Sequence, residues 1–237
     1  MSLRVLVLTP IYPWPGDPPE GIFIQRQVQN LVRHGVQCRV LMYTPAVRYL
    51  PPSMTALSHL RYHPRWMIWP KAPGGVSSAH VFYPRRHKGE DVIPAVSETL
   101  RRFLDAHSEF RDNDVVYAHW LWTGGAAALR LRDQFGWPVA AIARGSEMHD
   151  WHDMHRHCRP HVERVLSQAD MILANCDGLR RRAGEIAPGA SGEMKVVYNG
   201  CDARVFRPCL DKAAVRSALQ LPLDSKLLLC CASIIER

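Results

Sequence analysis

The feature that most constrains this chain is a series of short, unbroken apolar runs separated by stretches of helix length. The runs are Val5 to Leu8, Val36 to Met42, Val81 to Tyr83, Val115 to Ala118, Val139 to Ala143, Met171 to Ala174 and Val196 to Tyr198. Most are continuous rather than alternating, the pattern of strands buried on both faces of a parallel sheet. Between them, Ile24, Val28, Leu31 and Val32 fall on one helical face, as do Val92, Val96, Leu100, Phe103 and Leu104. Strand and helix alternate, which predicts an α/β domain: a doubly wound, Rossmann-like parallel sheet with helices on both faces.

Two regions depart from this rhythm. Residues 44–80 carry Pro45, Pro51, Pro52, Pro64, Pro70 and Pro73 with Trp66 and Trp69. They read as a long excursion containing one short helix, either a functional loop or a proline-rich packing flap. Near the other end, Val196 to Tyr198, then Asn199-Gly200, Asp202, Phe206 and Pro208 read as a strand ending in a tight turn that leaves a domain. Asp211 to Leu219 follows as a short helix, and Leu223 to Cys231 leads into a new strand. Residues 209–237 are too few to bury a core alone. The predicted division is therefore residues 1–205 as the Rossmann-like domain and 206–237 as the hinge and beginning of a second domain, or a segment that packs back on the first.

The 30 basic and 22 acidic residues give a net charge of +8, which favours anionic partners such as nucleoside diphosphates, phospholipid surfaces or nucleic acid. Nucleic-acid binding is disfavoured, because the basic residues are dispersed and no known module is present. Seven cysteines without a C-x-x-C spacing read as free thiols in a reducing, cytoplasmic compartment. The apolar run Leu3 to Leu8 is too short for a signal sequence or a membrane span, so peripheral contact with the inner membrane surface is the most that is expected. A nicotinamide-dependent dehydrogenase shares the alternating pattern, but G-x-G-x-x-G follows none of the strands.

Ligands of open α/β sheets bind at the carboxyl ends of the strands. After the first strand, Gly21 stands at the start of a helix, where a missing side chain lets an anion approach backbone N–H groups; capping a turn is the alternative. His119 ends the fourth run, and Thr123-Gly124-Gly125 then opens a helix as cap and close-packing glycines. Arg144, Gly145, Ser146 and Glu147 end the fifth. Arg144 can grip a phosphate or carboxylate bidentately but cannot act as a base, so its role is anion binding or positioning, with an Arg-Glu surface pair as the bland alternative. Asn175 ends the sixth run, where its side chain caps the next helix or bonds a ligand. Arg180 to Arg182 reads as a solvated helix face, or less readily as a membrane-surface patch. His149, His152, His155, His157, Cys158 and His161 crowd one segment. Their spacing matches no zinc signature, so no metal is expected and a mobile, pH-sensitive loop is preferred.

Taken in order, Gly21 with F-x-x-x-Q-V-x-x-L, D-V-V-Y-A-H with His119, Arg144-Gly145-Ser146-Glu147 and N-G-C-D followed by Phe206-x-Pro208 resemble family 4 glycosyltransferases over essentially the whole chain. The branch most similar in look builds bacterial exopolysaccharide and teichuronic-acid-like polymers. Tyr117 replaces that family's first histidine, Arg144 its commoner histidine, Glu147 its aspartate and Cys201 its aliphatic residue. The resemblance implies the N-terminal half of a GT-B enzyme. It also implies retaining transfer of a hexose from a nucleoside diphosphate sugar to a saccharide or lipid-linked saccharide, with no cofactor and no metal. It places Gly21 beside donor phosphates and acceptor and Arg144 at the reacting sugar as a positioning residue, with His119 a second catalytic candidate; Gly145, Glu147 and Asn175, and Asn199, Gly200 and Asp202 at the hinge, are the expected substrate-binding residues. Ala232 to Arg237 resembles the front of the loop that clamps the donor diphosphate, and the expectation is that this chain alone lacks turnover. A non-catalytic binding domain, or relic of such an enzyme, is the alternative.

Overall fold

The structure is a computed structural model that describes residues 2–14, 20–46, 66–70, 76–84, 91–149, 158–188 and 194–230. The chain divides into two compact units, Met1–Asn199 and Gly200–Arg237.

The first unit is built on one eight-stranded sheet. In chain order its elements are β1 (Arg4–Thr9), α1 (Ile22–Arg33), β2 (Gln37–Pro45), β3 (Trp66–Trp69), β4 (Ser77–Tyr83), α2 (Ile93–Ala106), β5 (Val115–His119), a π-helical segment (Trp120–Gly125), α3 (Ala126–Phe135), β6 (Val139–Ala143), α4 (Ser146–His149), α5 (Arg159–Gln168), β7 (Met171–Ala174), α6 (Asp177–Ile186) and β8 (Lys195–Val196). The strand order is β3-β4-β2-β1-β5-β6-β7-β8, parallel everywhere except β3, which runs antiparallel to β4. All seven expected apolar runs are strands. The last is cut to Lys195–Val196, leaving Tyr198 exposed.

Burial on both faces explains the continuous runs. In β1, Leu6 and Leu8 enter one apolar cluster and Val5 and Val7 the other, so successive side chains feed opposite faces and all four are buried. The first cluster gathers Val96, Leu100, Phe103 and Leu104 of α2 with Leu129 and Leu131 of α3 and Val162, Val165 and Leu166 of α5. The second lies beneath Ile24 and Val28 of α1. Val32, expected on that apolar face, is exposed: it lies in the last turn of α1, just before Gly35 turns the chain back towards β2.

The order of strands sets the position of the site. From β1 the chain winds outward through β2 and β4, then returns to the other side of β1 to begin β5. The loops after β1 and β5 therefore diverge and leave a crevice at the carboxyl ends of these two strands.

Strand β3 departs from the sequence reading. Trp66 and Trp69 lie in an antiparallel edge strand on β4, where the pattern called only for an excursion; the short helix expected there falls outside the described residues. Thr123 is not a helix cap either. It lies inside the π-helical segment and its Oγ1 accepts a hydrogen bond from Tyr43 Oη at 2.8 Å.

In the second unit, α7 (Lys212–Ala218) has Asp211 as N-cap, whose carboxylate accepts from Ala214 N at 2.9 Å. No residue of α7 is buried. Residues 221–230 form no strand, contrary to the reading of Leu223 onward. Asn199-Gly200 is not the tight turn either. Gly200 does not adopt positive φ, and the turn lies further on, where Val205 N and Phe206 N both donate to Asp202 O. Among the described residues no helix is long and apolar enough to cross a membrane.

Candidate functional site

The helix α1 begins at Gly21, whose φ of 69° is left-handed. A Cβ there would lie 2.9 Å from the backbone carbonyl of Ile11, so the preceding loop packs against the bare glycine. Among the described residues no side chain caps this N-terminus by a hydrogen bond, and its first turn holds no acidic residue. The first turns of α1 present Phe23 and Gln27 to the strand ends.

At the end of β5, His119 is fully buried. The next residue, Trp120, has φ 64°, a left-handed conformation costly for a tryptophan, and it starts the π-helical segment. This tight reversal requires Gly124, because a Cβ there would stand 2.2 Å from the carbonyl oxygen of His119. Gly125 packs against the Val165 side chain of α5. A left-handed residue, two close-packed glycines and the Tyr43–Thr123 hydrogen bond thus fix how His119 leaves the sheet.

At the end of β6, Arg144 is the centre of the arrangement. Its Nη2 donates to Gln27 Oε1 at 2.7 Å and to His119 Nδ1 at 2.8 Å, and Nη1 donates to Asn199 Oδ1 at 3.1 Å. Its guanidinium carbon sits 5.1 Å from the centre of the Phe23 ring, which in turn meets Trp120 edge-on. Because a guanidinium only donates, His119 Nδ1 accepts, and the imidazole proton resides on Nε2. Burial first and the neighbouring Arg144 charge second hold the His119 pKa well below the usual histidine range, so the ring is neutral. Among the described residues its Nε2 has no hydrogen-bond partner, and neither does Arg144 Nε.

Glu147 is buried, and its Oε1 accepts from the backbone N–H of Arg144 at 2.9 Å and of Leu121 at 3.4 Å. One carboxylate thus fastens the ends of β5 and β6 together. The bland reading of an Arg-Glu surface pair is thereby corrected: the carboxylate binds backbone, not the guanidinium. Gly145 adopts φ 127°, which a side chain would resist, and its carbonyl starts the turn to Met148 N at 2.8 Å. Asn175 does not cap α6. Cys176 is the N-cap position, and the Asn175 amide instead donates to the carbonyl of Arg144 at 3.4 Å.

The predicted residues His119, Arg144, Gly145, Glu147, Asn175 and Asn199 are therefore brought together, with Gly21 heading the helix that supplies Gln27. Gly200 and Asp202 belong to the second unit, where Asp202 accepts from Arg204 N at 3.0 Å and pairs with its guanidinium at 2.9 Å. Gln27 and Phe23 were missed as site residues, although both stand in the F-x-x-x-Q pattern after Gly21. The signal available was a polar side chain one residue before the buried Val28.

Of the histidine-rich segment, residues 150–157 lie outside the described residues; His161 Nε2 pairs with Asp91 Oδ1 at 3.1 Å. Among the described residues no group of His, Cys, Asp and Glu is placed to hold a metal ion. Arg180 and Arg181 pair with Asp177 and Arg182 with Glu185, as a solvated helix face does.

Comparison with known proteins identifies one family, described as Glycosyltransferase Family 4, matching residues 21–205. A protein named D-inositol 3-phosphate glycosyltransferase from Nocardioides sp. (strain ATCC BAA-499 / JS614) is 28% identical over 131 residues, 49% of this chain and 26% of that protein. The protein of the same name from Mycobacterium bovis (strain BCG / Pasteur 1173P2) is 28% identical over 120 residues, 48% of this chain and 25% of that protein. The match thus spans about a quarter of the length of these relatives. Among solved structures, Arabidopsis thaliana UGT89C1 complexed with UDP aligns with a TM-score of 0.47 at 14% identity, over 93% of this chain and 56% of that one. A UDP-N-acetylglucosamine 2-epimerase aligns with a TM-score of 0.48 at 12% identity, over 84% and 49%.

Proposed function

The chain belongs to glycosyltransferase family 4, and from that premise we propose that it forms the acceptor-side half of a retaining hexosyltransferase. The donor is a nucleoside diphosphate sugar, the acceptor a saccharide or lipid-linked saccharide, and the setting the cytoplasmic face of bacterial surface-polysaccharide synthesis. The observation that carries the reading is the convergence of Gln27, His119 and Asn199 on the Arg144 guanidinium at the strand carboxyl ends.

The chemistry follows from what these groups can and cannot do. Departure of a nucleoside diphosphate builds negative charge, and cationic or backbone donors aimed at it lower the barrier. Arg144 and the uncapped N-terminus of α1 are such donors. Arg144 cannot serve as a base, and His119, its Nδ1 occupied by Arg144 and its proton on Nε2, is a hydrogen-bond donor to a sugar oxygen rather than a proton acceptor. Glu147 is read as a structural clasp rather than a nucleophile, because its side chain is buried and turned to the backbone N–H groups of Arg144 and Leu121. Retention then proceeds without a covalent sugar–protein intermediate: as the bond from the anomeric carbon to the diphosphate oxygen breaks, the acceptor oxygen bonds that carbon on the same face and its hydroxyl proton passes to the departing diphosphate. No cofactor or metal enters. Gly200 and Asp202 take the hinge role as the donor-binding half closes over the sugar. Residues 1–205 would be the acceptor-side domain and 206 onward the beginning of the donor-side one.

Saturation-transfer NMR tests the acceptor-side reading: saccharide protons are expected to receive magnetisation from this chain. Transfer itself is measured as acceptor-dependent release of nucleoside diphosphate by protein that carries the donor-binding half, with Arg144→Gln slowing it about 10²-fold. Absence of both saccharide binding and transfer would leave a non-catalytic binding domain. A product of inverted anomeric configuration would sink retention.

A further inference from the structure

The Arg144 guanidinium is a partly buried positive charge whose side-chain partners are all neutral: the Gln27 and Asn199 amide oxygens and the His119 imidazole. No ion pair among the described residues includes it. The carboxylate next along the chain, Glu147, bonds backbone N–H groups instead. Phe23 covers one side of the guanidinium at 5.1 Å, and Trp120 backs Phe23. Several other arginines of this unit are answered by acids, Arg4 by Asp112 and Asp114, Arg101 by Glu98 and Asp105, Arg180 by Asp177, while Arg39 and Arg164 have neutral partners. Arg144 differs from the acid-paired ones in being both more buried and without an acid on its side chain.

Two donors at the same place also lack acceptors. Arg144 Nε and the buried His119 Nε2 have no partner among the described residues, on two side chains already bonded to each other. A partly buried guanidinium that makes no ion pair among the described residues, and that the Glu147 carboxylate attracts only through space, favours something that brings acceptor oxygens and negative charge to it and to the orphaned donors beside it. Three neutral acceptors hold the guanidinium in place without neutralising its charge and leave Nε–H and one Nη1–H for a further acceptor, where an anionic oxygen makes the stronger, charge-assisted bond.

We propose that Arg144 is the counter-charge site for a carboxylate or phosphate group carried by the saccharide substrate, so that the substrate class is acidic saccharide. This rests on the sugar-transfer reading and narrows it. The same oxygens could come from the donor's diphosphate, and the probes separate the two sources.

The experiment compares binding of methyl glucuronide and glucose 6-phosphate with that of the neutral methyl glucoside and with inorganic pyrophosphate, by saturation-transfer NMR and titration at fixed ionic strength. At least one acidic sugar is expected to bind about tenfold more tightly than the glucoside, the discrimination of a charge-assisted contact. Arg144→Gln is expected to bring the two to parity, with the fold checked by circular dichroism. The wild-type comparison of charged and neutral sugars stands without the variant, should Arg144→Gln not fold. Equal binding of acidic and neutral sugars overturns the inference and leaves sugar transfer intact. So does discrimination that survives in Arg144→Gln, or an Arg144-dependent affinity found for pyrophosphate alone. Failure of every sugar to bind overturns both.

Discussion

A carboxylate buried with one oxygen on two backbone N–H groups does work no local signal announces. Glu147 was legible as a candidate only because it follows Arg144-Gly145 at a strand end; that it fastens Leu121 to Arg144 depends on the packing of β5 against β6. Glu147→Ala leaves both N–H groups without this acceptor, at about 1–3 kcal/mol for each that water does not reach. The variant is expected to lose roughly 2–4 kcal/mol, read as a lowered urea midpoint. A loss under about 0.5 kcal/mol, the scale of a surface substitution, would mean that the clasp contributes nothing. His119 makes a second prediction. Its folded pKa is depressed by burial, while the unfolded chain takes up the proton near pH 6.5. Above that pH the ring is neutral in both states and adds no pH dependence. Below it the unfolded state binds the extra proton, so stability falls as pH falls, by up to about 1.4 kcal/mol per unit. Denaturation series at pH 5, 6, 7 and 8 should show this slope reduced in His119→Gln; an unchanged slope would refute it. Gln27 eluded the sequence reading because a glutamine on a helix is ordinarily solvated, and only the crossing of α1 over the end of β6 gives it Arg144 as partner.

At the scale of elements, periodicity revealed the strands buried on both faces, and for a physical reason: a run such as Val139–Ala143 has no solvent-facing residue to break it. It failed where structure depends on non-local pairing. The four residues of β3, Trp66-Met67-Ile68-Trp69, are themselves a short apolar run, but they stand among prolines and pair antiparallel with β4 alone, outside the alternation of strand and helix that marked the others. The π-helical turn after His119 was likewise hidden, since Thr123-Gly124-Gly125 resembles an ordinary helix start. What distinguishes the glycines is what they touch, and that yields a graded test. Gly35 has φ 82° but open space around it, so Gly35→Ala meets only the left-handed penalty, about 1–2 kcal/mol. Gly21 has φ 69° and the Ile11 backbone within 2.9 Å of a new Cβ, so Gly21→Ala is expected to cost more and to displace the start of α1. Gly124→Ala drives a Cβ to 2.2 Å from the His119 carbonyl and is expected to be the most damaging. Thermal midpoints should fall in the order Gly35, Gly21, Gly124, and any other order would show that the turn after His119 relaxes.

For the whole molecule, the two units differ in what holds each of them together, and that difference predicts how each opens. The first has strands whose side chains are buried on both faces, so its central amides become exchangeable only when the sheet itself comes apart. Among its described residues the second offers no comparable core: α7 buries none of its residues, and Val205, Phe206, Leu210, Leu228 and Leu229 are exposed. The Asp211 cap and the hydrogen bonds of one short helix do not stabilise a seven-residue segment in water, because helices of this length are marginal without packing. Hydrogen exchange followed by mass spectrometry should therefore separate the chain into two classes. Amides of β1, β5 and β6 are expected to exchange at the rate of global unfolding and to slow together as stabilising conditions are applied. Amides of residues 200–230 are expected to exchange within seconds to minutes at neutral pH, as local openings of near-zero free energy allow. Protection of α7 equal to that of β5 would require packing that these residues do not show. The acidic-sugar inference adds a further arm to the same experiment: ligand bound at Arg144 stabilises only the state that contains the site. A saturating acidic sugar should slow exchange at the ends of β5 and β6 and leave residues 205–230 as fast as before.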